Sequence, residues 1–109
     1  MLVVALEELN SALQYLLKAK EKLENGGSAS LELWFARAKL EVFLAKLSLK
    51  HGLEEAAIPK FRGKVDLNSE FMKKLIEELG FTAEAYRSGR FEDAFRIGWH
   101  VREALTKLL

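Results

Sequence analysis

His51 and His100 are the only imidazoles in this chain, and no cysteine accompanies them. Without thiols there can be no disulfide, no thiolate zinc site and no cysteine nucleophile. A di-iron bundle centre requires Glu-x-x-His, so that carboxylate and imidazole project one turn apart into a shared core. Residues 48 and 97, three before each histidine, are Ser48 and Ile97. His100 falls beside Arg96 and Glu103 on the polar side of its segment, where it is expected to be solvated. His51 precedes Gly52 and reads as a cation at a helix C-terminus. Carboxylates come as neighbours: Glu7-Glu8, Glu54-Glu55, Glu77-Glu78 and Glu92-Asp93. Adjacent helical residues diverge by about 100°, so such a pair cannot address one substrate together. The serines lack a nucleophile-elbow context, and Gly26-Gly27 has neither a preceding strand nor a following Gly-Lys-Ser/Thr. The expectation is no catalytic residue, no metal site and no cofactor, hence not an enzyme.

One cluster could bind a polyanion. Lys60, Phe61, Arg62 and Lys64 place three cations around a ring that could stack on a base. Glu54, Glu55 and Asp66 flank the cluster and cancel its charge. The whole chain carries a net charge of +1, so no strong field calls for nucleic acid or an anionic membrane surface. Nucleic-acid contact through these four residues is therefore the secondary expectation.

The stretch with the most distinctive pattern is Leu31 to Lys50. At helical spacing, Leu33, Ala36, Leu40, Phe43 and Leu47 share one side, and Leu31, Phe35, Ala38, Val42, Ala45 and Leu49 lie almost opposite. Glu32, Lys39 and Lys46 form one thin polar seam between them, and Arg37, Glu41 and Ser48 the other. A surface helix has one apolar stripe; a helix with two is covered on both sides. Trp34 joins the second face, for which an ordinary hairpin has no use. Leu31, Trp34, Phe35, Ala38, Val42, Ala45 and Leu49 are thus the candidate self-association face. The competing cover is the segment 53–65 of the same chain, with Ile58 and Phe61.

The elements that would hold this face are four helices. With 109 residues, half of them hydrophobic and 30% charged, the chain suits one folded domain. The first helix runs over Leu2 to Glu24. Leu2, Leu6, Leu9, Leu13, Leu16 and Leu23 follow heptad spacing with Lys20 at the polar position, and Ala5, Ala12 and Ala19 beside them allow close approach. Asn25-Gly26-Gly27 ends the helix. Ser28 or Ser30 is expected to cap the second helix, which stops at Lys50-His51-Gly52. Residues 53–67 form a crossover long enough to cross the end of a bundle. The third helix starts near Asp66, Asn68 or Ser69. Its face is Phe71, Met72, Leu75, Ile76, Leu79, Ala83 and Tyr86, which leaves Phe81 pointing outward. Two solutions are open there: a continuous helix, or a break at Gly80 with Thr82 as a new N-cap and Phe81 stapled onto Tyr86. After Ser88-Gly89 the fourth helix presents Phe91, Ala94, Phe95, Gly98, Val101, Leu105 and Leu108. The expected architecture is an all-α, up-and-down four-helix bundle, with a fifth helix if the third breaks. Residues 1–109 form one domain: hairpin 1–52, crossover 53–67, hairpin 68–109.

The run Ala85-Tyr86-Arg87-Ser88-Gly89-Arg90-Phe91-Glu92-Asp93-Ala94 resembles the turn of tetratricopeptide units and of HEPN-type bundles, a likeness covering residues 83–109. It implies a helical bundle and a nucleotide-linked accessory role. No second copy at a tetratricopeptide period exists. The HEPN ribonuclease signature sets an arginine four to six residues before a histidine. Arg96 and His100 have only three between them, and His51 has no nearby arginine, so ribonuclease activity is not implied.

The leading expectation is a non-enzymatic, self-associating interaction protein, a homodimer with room for an unidentified protein partner. The start, Met1 to Leu6 followed by Glu7-Glu8, lacks the basic residue of a signal peptide. No apolar run approaches the ~20 residues of a membrane span, so a cytoplasmic location is expected. Few amides beside abundant Lys and Glu suggest a thermophilic source.

Overall fold

The computed structural model describes residues 2–53 and 63–109, with side chains from Leu6 onward in the first helix. Four helices make up the described chain: α1 (Leu2–Glu24), α2 (Ser30–His51), α3 (Ser69–Arg87) and α4 (Phe91–Leu108). The first two are stopped by glycine. Gly26 and Gly52 adopt φ of 75° and 65°, the left-handed conformation in which amides turn back onto the last helical carbonyls. Gly27 accordingly donates to Lys22 at 2.8 Å and Gly52 to Ser48 at 2.8 Å.

N-termini follow two different rules. Asn68 caps α3 through its side-chain oxygen, which accepts from the Phe71 amide at 2.8 Å. At α2 neither Ser28 nor Ser30 caps; the N-cap is Ala29, with no side-chain hydrogen bond. The reason is packing, since the Ala29 methyl is buried in the core and a polar cap at that place would be desolvated.

The helices form a four-cornered ring in which α1 and α4 each lie between α2 and α3. Side-chain contacts fix the directions. Glu32 of α2 meets Lys22 of α1, while Lys39 and Lys46 meet Glu8, so α1 and α2 are antiparallel. His51 stacks on Phe91 and Glu41 bonds Arg102, so α2 and α4 are antiparallel too. Glu78 lies beside His100 and Tyr86 beside Phe91, and α3 therefore also opposes α4. Up and down alternate around the ring. Consecutive helices α2 and α3 are consequently parallel and diagonal, so the end of α2 and the start of α3 are separated by the length of the bundle. That length is ~28 Å for a helix of this size. Residues 54–62 lie outside the described residues.

The core is built from α1 (Leu9, Ala12, Leu16, Ala19), α2 (Leu33, Ala36, Leu40, Phe43, Leu44, Leu47), α3 (Met72, Leu75, Leu79) and α4 (Ala94, Val101, Leu105). The α1 core is turned from the leucine seam toward Ala12 and Ala19, with Leu6 and Leu13 only half-buried. The break at Gly80 does not occur, because α3 is continuous through it. Thr82 is no cap: it is fully buried and donates to the Glu78 carbonyl at 3.0 Å. Phe81 is left 58% exposed rather than stapled to Tyr86. A break would have freed a turn of backbone groups, whereas one exposed ring costs little.

Candidate interaction surface

The two polar seams of α2 are the lines along which its neighbours abut. Toward α1, Glu32 pairs with Lys22 at 2.7 Å, and Lys39 and Lys46 reach Glu8 at 3.8 and 3.7 Å. The ammonium of Lys22 holds the Glu32 carboxyl below its ordinary range. Toward α4, the Arg102 guanidinium donates twice to one oxygen of Glu41, at 3.0 and 3.2 Å. Arg37 adds its charge to Glu41 one turn away, at 3.8 Å. Interlocked seams leave the outer face of α2 between them.

That outer face is apolar and open. Leu31 is 60% exposed, Trp34 50%, Val42 41% and Leu49 87%; Ala45 is exposed and Ala38 half-buried. All seven expected face residues lie outside the α2 core side. Phe35 is the one already engaged, stacked on Tyr15 of α1 at 5.2 Å with Trp34 edge-on at 5.4 Å. Tyr15 is an addition to the expected set. The signal for it was positional: Tyr15 lies seven residues from both Glu8 and Lys22, on the α1 edge that abuts α2. On the opposite rim Trp99 donates to Glu103 at 3.1 Å and carries the Arg102 guanidinium over its ring at 5.1 Å.

The remaining candidates do not converge. His100 is partly exposed with Nδ1 3.4 Å from Glu78, so it borders a carboxylate of α3 instead of standing in bare solvent. His51 is more than a terminal cation. Its ring lies flat on Phe91 at 3.9 Å, and its Nε2 is withdrawn from solvent with no hydrogen-bond partner. Among the described residues no three His, Asp or Glu side chains gather where a metal ion could sit. Of the basic cluster, Lys64 is exposed, while Lys60, Phe61 and Arg62 lie outside the described residues. So does most of the competing cover for α2, Ile58 included; its ends, Leu53 and Val65, pack half-buried against the core. No described helix is long and apolar enough to cross a membrane.

Compared with protein families, curated proteins and solved structures, the chain matches none. The likeness of residues 83–109 to HEPN-type and tetratricopeptide turns rests on those residues alone. Their geometry has a local explanation: Gly89 turns at φ 77°, and Tyr86 packs edge-on against Phe43 and Phe91.

Proposed function

We propose that this protein is a non-enzymatic, self-associating helical bundle whose outer α2 face docks on a second copy of the chain. The observation that supports this reading is the continuous stripe Leu31, Trp34, Val42, Leu49, half or more exposed at most positions and bordered by seams whose charges are already paired. Scattered surface leucines are ordinary; a contiguous stripe with a tryptophan and paired rims has the composition of an interface centre. Among the described residues, the exposed stripe lies outside the hydrophobic core of one bundle. A closed twofold dimer is the simplest assembly that covers it.

Val42→Arg tests the reading. Val42 is 41% exposed, so an arginine there reaches water in a monomer but places two guanidinium groups inside a dimer. Wild type should run as a dimer at micromolar concentration by light scattering, and the variant as a monomer with unchanged circular dichroism. A monomeric wild type, or a variant that still dimerises or that unfolds, would refute the proposal.

A further inference from the structure

We infer that the two copies of α2 pair antiparallel through their outer faces, about a twofold axis at the level of residue 40; this rests on the self-association reading above. Side-chain size along the stripe carries the inference. Counted outward from residue 40, Leu31 corresponds to Leu49, Phe35 to Ala45 and Ala38 to Val42. An antiparallel pair therefore sets Phe35 against Ala45, Val42 against Ala38 and Leu31 against Leu49, with Trp34 at the edge of the stripe level with Lys46 of the copy. Parallel pairing sets every residue against its own copy. The Trp34–Phe35 layer would then hold four rings, and the Ala38 and Ala45 layers would hold only methyl groups. Crowded and empty layers alternating along one interface violate the close packing that stable contacts require.

Charge agrees with this arrangement. In an antiparallel twofold pair each edge of α2 meets the same edge of its copy. One edge carries Arg37 and Glu41, placing each within about a turn of the opposite sign on the partner. The other carries Glu32 and Lys46, related in the same way. Lys39, nearest the axis on that edge, reaches Glu8 of its own chain at 3.8 Å, a carboxylate it shares with Lys46. The stripe from Leu31 to Leu49 is ~27 Å long on a helix ~10 Å wide. That is less than the ~800 Å² a side of a standard interface, so the rims must join it. Antiparallel pairing brings α1 beside α1 of the copy and α4 beside α4. It thereby adds Tyr15 with Lys18, whose ammonium lies 5.6 Å from the Tyr15 ring centre, and Trp99 on the far side.

The absence of cysteine makes the orientation directly measurable. Leu31→Cys and Leu49→Cys each place one thiol on an exposed site at an end of the stripe, and each variant should keep the wild-type circular dichroism. With a nitroxide on residue 31, pulsed dipolar spectroscopy should give a separation near 27 Å, set by eighteen residues of helical rise. A parallel pair would bring the labels to roughly the 10 Å between neighbouring helix axes. Oxidising a mixture of the two variants should favour the 31-to-49 disulfide over either self-linked product. A dimer with short separation and self-linked Leu31→Cys overturns the antiparallel assignment and leaves self-association standing. A dimer that survives Val42→Arg, or a wild type monomeric by light scattering with no dipolar coupling, overturns both.

Discussion

At Gly98 on α4, side chains of α2 and α3 close in on the backbone, and its replacement by alanine makes a stringent test of the packing. A Cβ on this residue would lie 3.0 Å from Leu44 Cδ2 on α2, 3.4 Å from Thr82 Cγ2 on α3 and 3.8 Å from Leu40 Cδ1. Two opposing effects meet there. Alanine is favoured over glycine within a helix by about 1 kcal/mol. Against it, carbon atoms sit comfortably at 3.5–4.0 Å, so Leu44 must retreat by about half an ångström. Leu44 is 2% exposed and has little free space, and overpacking of this kind costs about 1–3 kcal/mol. The net expectation for Gly98→Ala is a loss of roughly 0–2 kcal/mol, measured by urea unfolding followed by circular dichroism.

A double-mutant cycle removes the ambiguity of a small net value. Leu44→Ala alone should cost about 2–5 kcal/mol for a buried leucine, within reach of a domain holding about 5–15 kcal/mol. In that background the obstructing methyl is gone. Gly98→Ala should then stabilise by about 1 kcal/mol, giving a coupling of at least that size between the two sites. If Gly98→Ala is already stabilising by the full propensity gain in the wild-type chain, α2 and α4 do not approach as described. Equal effects in the two backgrounds would say the same.

Three further predictions follow from local contacts elsewhere in the bundle. Thr82→Val should be neutral or stabilising by up to about 1 kcal/mol, because the Glu78 carbonyl keeps its helical partner, whereas Thr82→Ala should lose about 1 kcal/mol with the methyl beside Gly98; equal losses by thermal melting would instead mark Thr82 as a cap. Asn68→Ala should cost about 1 kcal/mol as a lost N-cap, while Ser30→Ala, removing no cap bond, should stay within about 0.5 kcal/mol in the same urea titration. The Glu32 carboxyl is held below its ordinary value of 4.5 by Lys22, so the unfolded chain takes up the proton first; its contribution is complete above pH 4.5 and falls away as pH drops through the lowered value. Unfolding across that acid range should be less pH-dependent in Lys22→Met, and an unchanged slope would refute the pairing.

The fold was legible where one residue type served one purpose. The turns at Gly26, Gly52 and Gly89 could be read because only glycine accepts their positive φ without strain, and the double-faced pattern of α2 because period and hydrophobicity agree over 20 residues. Legibility failed where two local rules competed. At the start of α2, cap preference favoured a serine, but burial of the Ala29 methyl placed the boundary one residue from each. In α3 the outward Phe81 suggested a break, yet the helix runs through, since a buried Thr82 can satisfy its hydroxyl on its own backbone and behave as a core residue. The directions of the helices depend on pairings between residues distant in sequence, such as Glu41 with Arg102 and His51 with Phe91, which no local pattern encodes.

The seams of α2 connect fold to proposed function. Their ion pairs have two roles: they mark where a neighbouring helix abuts, and they draw the charged heads toward α1 and α4 and away from the outer stripe. Had Lys39 and Lys46 been turned toward the stripe, their ammonium groups would have to be desolvated in any contact between copies, a cost that two facing leucines cannot offset. Anchored at 3.8 and 3.7 Å to Glu8, they are held toward α1. The prediction is therefore specific to the anchor. Glu8→Gln alters nothing on the stripe and little in the core, since Glu8 lies at the surface of α1, but it frees both lysines to swing outward. Dimerisation should weaken several-fold in sedimentation equilibrium, more at low salt than at high salt because the exposed like charges are then less screened. A dimer equally strong in wild type and Glu8→Gln at every salt concentration would mean that the lysines do not border the contact.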